Sequence, residues 1–187
     1  MMPRLHVVTV STRDARQGPT IAQWFLEKAK AHGKFELEPI DLRELDLPMF
    51  DEPIHPMKRQ PQYEHTKKWA AKVAQADAFV FVTPEYNYGM PPSLLNALTY
   101  LTYEWHYKAA GFVSYGGVSG GTRSVQMAKQ VMTSLKIVPI PEAVNLPFFI
   151  KQIVDGKFDP GDTQDKPVNT LLDELAKWTT ALKTLRS

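Results

Sequence analysis

Residues 78–92 read AFVFVTPEYNYGMPP, and this stretch decides the fold. Ala78 to Thr83 is an unbroken apolar run bounded by turn residues, of strand length. A strand with one wet face would alternate with polar residues. This one does not, so it is expected to be covered on both faces, as strands of a parallel sheet are. A stiff aromatic turn follows: the prolines fix φ, and Gly89 permits close backbone approach to a flat ligand. Pro92 then suits the first turn of a helix, where a missing N–H costs least.

Working outward, the same pattern repeats. Leu5 to Val10 is a first short apolar strand, and Thr20 to His32 carries Ile21, Phe25 and Ala29 at helical spacing, with Gly33 at its end. Phe35 to Leu42 is a second strand. Residues 43–62, rich in proline and acid, read as a long loop, and Tyr63 to Ala76 as a second helix. Downstream, Pro92 to about Tyr103 is a helix, Ala110 to Tyr115 a fourth strand and Gly120 to Leu135 a fourth helix. Ile137 to Val144 is a fifth strand broken by Pro139 and Pro141, hence a sheet edge. Asp155 to Pro167 is a polar loop before a last helix marked by Val168, Leu171, Leu172, Leu175, Trp178, Leu182 and Leu185. Strand and helix alternate five times, so one α/β domain over 1–187 is expected, a parallel sheet with helices on both faces. Right-handed crossovers make the strand order 2-1-3-4-5 the simplest, with ligands at the carboxyl ends of strands one, three and four.

Composition excludes several chemistries. The chain has no cysteine, which removes disulfides, thiol redox pairs and thiolate metal sites, so redox work would need a bound cofactor. A net charge of +2 gives no footprint for nucleic acid. No apolar run approaches the ~18 residues of a membrane helix, and MMPRLHVVTV is too short for a secretory core; a cytoplasmic location is the default expectation. The five histidines show no close spacing that would set a metal site.

Three segments follow the chemistry-bearing strand ends. Ser11-Thr12-Arg13-Asp14-Ala15-Arg16-Gln17-Gly18-Pro19-Thr20 places hydroxyls, two arginines and a glycine before a helix start. Free N–H groups and the helix dipole there favour a phosphate, although Ser11 or Thr20 could equally serve as a plain cap. It is neither a Walker loop nor GxGxxG. The second segment is Thr83 to Pro92, whose aromatics could cover a ring or pack locally. The third is Ser114-Tyr115-Gly116-Gly117-Val118-Ser119-Gly120-Gly121-Thr122-Arg123, four glycines that let backbone approach a ligand.

Together these segments resemble the NADPH-dependent FMN reductase family of flavodoxin-like quinone and flavin reductases, from Val7 to about Leu135. Pro84-Glu85-Tyr86-Asn87 is the most specific match; Val10 stands where a glycine is often found. The resemblance implies a flavodoxin-like three-layer sandwich that binds FMN. Ser11, Arg13, Gly18, Thr20 and Ile21 would hold the phosphate, with Arg16 beside it. Pro84, Glu85, Tyr86 and Asn87 would border the isoalloxazine, and Ser114, Gly116 and Gly117 its far side or the ribityl chain. NADPH or NADH would donate hydride, and a small planar acceptor such as a quinone or free flavin would take the electrons. No acid–base dyad is required, and Glu85 is read as a salt-bridge partner rather than a general acid. The resemblance also implies a homodimer or homotetramer. An FMN electron carrier and a regulatory flavin-binding module are the rival readings; carriers tend to be strongly acidic around the flavin, unlike this chain. Met49, Phe50 and Met57 on the long loop could cover the flavin, meet a partner subunit or pack on the domain. Glu104-Trp105-His106-Tyr107 could lie at a subunit boundary or pack locally.

Overall fold

In the computed structural model, which describes residues 2–186, the apolar run at 78–83 is the centre of a five-stranded sheet. The strands are β1 (Arg4–Thr9), β2 (Glu36–Asp41), β3 (Ala78–Pro84), β4 (Ala109–Gly116) and β5 (Val138–Pro147), in the order β2-β1-β3-β4-β5, all pairs parallel. Every residue of β3 is buried, as its lack of alternation requires.

Helices close both faces. On one side α1 (Gly18–His32) and α6 (Asp165–Lys183) enclose a core with Phe25, Trp24, Val80, Val113 and Leu171. On the other, α3 (Glu64–Gln75), α4 (Pro92–Thr99) and α5 (Thr122–Ser134) enclose Trp69, Phe79, Phe81, Leu94 and Trp105. Trp105 is fully buried and its indole N–H donates to the Leu98 carbonyl at 3.2 Å, so the aromatic stretch at 104–107 packs locally through this residue.

The outline departs from the sequence reading at three places. The long loop opens with a helical turn, α2 (Leu42–Leu45), because the Asp41 carboxylate caps it by accepting the Arg43 N–H at 2.9 Å. A 3-10 turn at Pro56–Lys58 adds a second ordered point. Strand β5 extends three residues beyond Val144, and the prolines cause a register shift opposite Ala110 and Phe112 rather than ending the strand. The polar stretch at 155–167 contains one arm of a two-stranded hairpin, β6 (Ile153–Val154) with β7 (Lys157–Phe158), and the start of α6. Phe158 anchors the hairpin edge-on against Trp24 of α1, ring centroids 5.2 Å apart. Among the described residues no helix is long and apolar enough to cross a membrane.

Candidate functional site

The carboxyl ends of β1, β3 and β4 open into one cavity of about 490 Å³. Its size is that of a small-molecule site. One end is formed by the loop between β1 and α1. Helix α1 begins without a side-chain cap and without an acidic residue in its first turn, so its early N–H groups and the dipole remain unspent. Ser11, Arg13, Ala15, Arg16 and Gln17 line this end.

The two arginines differ. Arg16 is braced: its Nη1 donates to the Asp41 carboxylate at 2.5 Å and to the Ser11 carbonyl at 2.7 Å, so it fixes the loop. Arg13 is exposed, its guanidinium 5.9 Å from the Tyr86 ring centroid, and pairs with no carboxylate among the described residues. Gly18 is packed beneath Ser11. A Cβ there would lie 2.3 Å from Ser11 Oγ and 2.9 Å from Tyr115 Oη, so space rather than backbone angle demands glycine.

The other end lies between the loops after β3 and β4. Pro84, Glu85 and Tyr86 line it side by side with Tyr115, Gly116 and Gly117: Pro84 pairs with Tyr115 in the sheet, and the Glu85 N–H donates to the Tyr115 carbonyl at 3.1 Å. Tyr86 and Gly89 exchange backbone hydrogen bonds at 3.0 and 2.9 Å around a two-residue turn. Both central residues have positive φ, Asn87 at 48° and Tyr88 at 67°. Asparagine tolerates that region, whereas a tyrosine there stores roughly 1–2 kcal/mol of strain. In the loop after β4, Gly120 and Gly121 also have positive φ, 59° and 86°, which brings the loop back into α5.

Glu85 ties these two loops together. Its carboxylate accepts the Ser119 hydroxyl at 2.8 Å, the Arg123 N–H at 3.0 Å and Arg123 Nη1 at 2.7 Å. The N-cap Gly121 has no side chain to cap α5, so Glu85 does so from the neighbouring loop. Burial raises its pKa, but the hydrogen bonds from Ser119 and Arg123 and the Arg123 charge outweigh this and hold it below the usual glutamate value. The salt-bridge reading of Glu85 therefore matches the geometry. Arg123 in turn lies over the Tyr88 ring, 4.2 Å from its centroid.

The expected residues do not all reach the cavity. Ser11, Arg13, Arg16, Pro84, Glu85, Tyr86, Gly116 and Gly117 line it. Thr20 faces a separate hollow beside Gln23 and Trp24, and Ile21 is wholly buried in the core. Asn87 borders an adjoining cleft with Tyr88 and Arg123. Ser114 is also wholly buried; its hydroxyl donates to the Gly120 carbonyl at 2.8 Å and lies 2.9 Å from Asn145 Oδ1, so it shapes the glycine loop from below.

Sequence reasoning missed Gln17, Tyr115 and the turn Phe148-Phe149-Ile150-Lys151, all of which line the cavity. Phe148 has φ of 50°, and Phe149 packs edge-on against Tyr115, centroids 4.8 Å apart. Phe148 and Ile150 are 51% and 61% exposed, and they form an apolar wall at the cavity mouth. The signal was there: an apolar run follows the fifth strand at the same sheet end as the other loops.

The donor set fits FMN. One end offers cations, a hydroxyl and free N–H groups suited to a phosphate; the other offers backbone and aromatic walls suited to a flat ring. A second hollow of about 450 Å³, beside α2 and α4, fits less well, since its Arg43 is already paired with Asp14 at 2.5 Å.

Comparison with known proteins agrees with this geometry. The sequence profile of the NADPH-dependent FMN reductase family matches residues 3–151. An NAD(P)H-dependent FMN reductase of Schizosaccharomyces pombe is 44% identical over 162 residues, 84% of this chain and 80% of that protein. A quinone reductase of Escherichia coli is 31% identical over 120 residues, 62% of this chain and 61% of that protein. Among solved structures, FerB of Paracoccus denitrificans, a flavoenzyme NAD(P)H:(acceptor) oxidoreductase, superposes with a TM-score of 0.74 at 19% identity, covering 96% of this chain and 98% of its own. The last likeness speaks for the fold.

Proposed function

The chain belongs to the NADPH-dependent FMN reductase family, and from that premise we propose that it is an FMN-dependent NAD(P)H oxidoreductase acting on a small planar acceptor such as a quinone or free flavin. The observation that carries this reading is the two-ended cavity at the carboxyl end of the sheet, cationic at α1 and flat-walled between the loops after β3 and β4. Bound FMN supplies the two-electron chemistry that links the nicotinamide to the acceptor.

The protein's own part is to bind, orient and keep water away. Arg13 and the first N–H groups of α1 neutralise the phosphate, while Arg16 and Gly18 hold the loop in shape around Ser11. Pro84, Glu85 and Tyr86 form one part of the ring site, Gly116 and Gly117 the part beside it. The Glu85 and Tyr86 N–H groups are already donated to the Tyr115 and Gly89 carbonyls, so the first part would hold the ring by packing. Phe148 and Ile150 shield the mouth. Thr20, Ile21, Asn87 and Ser114 support these contacts from outside the cavity. The name of the Escherichia coli relative favours a quinone as acceptor. One domain over 1–187, a homodimer or homotetramer, and a cytoplasmic location complete the proposal.

The test is the visible spectrum of the purified protein with added FMN, followed by NADPH and, separately, NADH without oxygen. A bound-flavin spectrum that bleaches supports the reductase, and the faster donor gives the nicotinamide preference. A bound flavin that neither donor bleaches would replace the reductase with an electron carrier.

A further inference from the structure

We infer that Tyr115 is a positioning residue for the flavin phosphate: it donates to Ser11 and thereby frees and aims the Ser11 hydroxyl proton at a phosphate ester, so that the site selects FMN over riboflavin. The inference rests on the flavin reading above and deepens it. Tyr115 Oη lies 3.2 Å from Ser11 Oγ, linking the end of β4 to the end of β1 across 104 residues of sequence. Both residues are buried, Ser11 at 1% exposure and Tyr115 at 3%, yet both line the cavity. Among the described residues, Tyr115 is the one hydrogen-bond partner of Ser11 Oγ, and none accepts its proton if Tyr115 is the donor.

Two hydroxyls in contact can share a proton in either direction. A phosphate carries only acceptors towards a hydroxyl, so its arrival settles the direction. Ser11 then donates to the phosphate, and Tyr115 must donate to Ser11. Burial raises the Tyr115 pKa, which keeps the phenol protonated for that task. A chain of donors aimed at an anion in a low-dielectric site also polarises each link.

Gly18 supplies independent support. The hydroxyl pair sits so close to its Cα that no methyl group could enter, 2.3 Å from Ser11 Oγ and 2.9 Å from Tyr115 Oη. The start of α1 is thereby pressed against the pair at Gly18, and it has no side-chain cap of its own. Tyr115 also has a packing role, its edge-on contact with Phe149. A phenylalanine keeps that contact and removes only the hydroxyl, so the two roles can be separated.

The experiment is fluorescence titration of wild type, Tyr115→Phe, Ser11→Ala and the double variant with FMN and, separately, riboflavin. Tyr115→Phe is expected to weaken FMN by about tenfold, the upper end of what a neutral hydrogen bond is worth, and to leave riboflavin within about twofold. Ser11→Ala should show the same selectivity, and the double variant should be little worse than Ser11→Ala alone, because the phenol then has no hydroxyl left to orient. Equal loss of FMN and riboflavin in Tyr115→Phe would overturn the inference in favour of ring packing. Unchanged FMN affinity, or additive losses in the double variant, would overturn it too. If wild type binds neither flavin, the flavin reading itself falls and takes the inference with it, whereas wild-type FMN binding with an unselective Tyr115→Phe overturns the inference alone.

Discussion

At the amino end of the sheet, Lys108 is 5% exposed and spends its ammonium on the carbonyls of Val73 and Ala74, at 2.6 and 3.3 Å, where α3 ends. Asp77 beside it accepts the Arg4 N–H at 3.0 Å and the Arg186 guanidinium at 3.1 Å. At the carboxyl end, Arg13 has no carboxylate partner among the described residues, α1 starts uncapped, and Ser11 holds a proton in reserve. Both ends carry charge near buried strands. At the amino end Lys108 and Asp77 spend their charges internally, and the groups left without a partner among the described residues, the His6 nitrogens and Arg186 Nε, are sealed from solvent. The carboxyl end instead leaves donors over at an open cavity. A ligand site is where polar groups remain unspent at an open cavity; charge density alone does not mark it.

His6 makes the sealed end testable. It is 1% exposed and neither ring nitrogen has a partner among the described residues. Burial first, then the charges of Lys108, Arg4 and Lys72, opposed by Asp77, push its pKa down from 6.5 to about 4. The unfolded chain takes a proton that the folded chain refuses, so His6 favours folding fully above pH 6.5, and that contribution falls away as the pH drops towards 4. Between about pH 7 and about pH 4.5 the loss should be roughly 2–3 kcal/mol. Denaturant unfolding of the wild type and His6→Leu at both pH values measures it, and the variant should lose less by that amount. Equal losses would mean that the amino end admits protons, and the contrast between the ends would fail.

Arg13 sharpens the other side of the comparison. Replacing it with alanine should weaken FMN binding by about 1.5–3 kcal/mol, since the guanidinium has no competing carboxylate to satisfy. Titration of the variant with FMN checks this. An unchanged affinity would remove Arg13 from the phosphate end and leave Arg16, already braced by Asp41, as the nearest cation of the loop.

The sheet order was legible because β3 is apolar from Ala78 to Val82 without alternation and the strands alternate with helical spacing, which together leave few topologies. The loops of the site were legible because their residue types are costly elsewhere: paired prolines, runs of glycine, hydroxyls and arginines before a helix. What the pattern did not carry is direction. Thr20 and Ile21 lie within the first turn of α1, and a turn of about 100° per residue points them away from the cavity. Ser114 alternates to the buried side of β4 while Tyr115 faces the cavity, an outcome of period-two geometry that the motif conceals. Phe148 to Lys151 were missed because an apolar run after an edge strand reads as ordinary core.

Glu85 tests whether an ionic group at the open end must belong to the chemistry. It is nearly buried and borders the ring side, the usual description of a reacting acid, yet all three hydrogen bonds of its carboxylate run to Ser119 of the neighbouring loop and Arg123 at the start of α5. Glu85→Gln keeps an acceptor for Ser119 and for the Arg123 N–H, and the half-exposed Arg123 guanidinium can turn to water. The bonds that change tie the protein to itself, so the rate of flavin reduction by NAD(P)H should change by no more than about fivefold, about 1 kcal/mol. Anaerobic stopped-flow reduction at full FMN occupancy reads this directly. A collapse of the rate with the flavin still bound would place the Glu85 carboxylate among the reacting groups. The donors left over at this end would then include a proton as well as the hydrogen bonds that hold a cofactor.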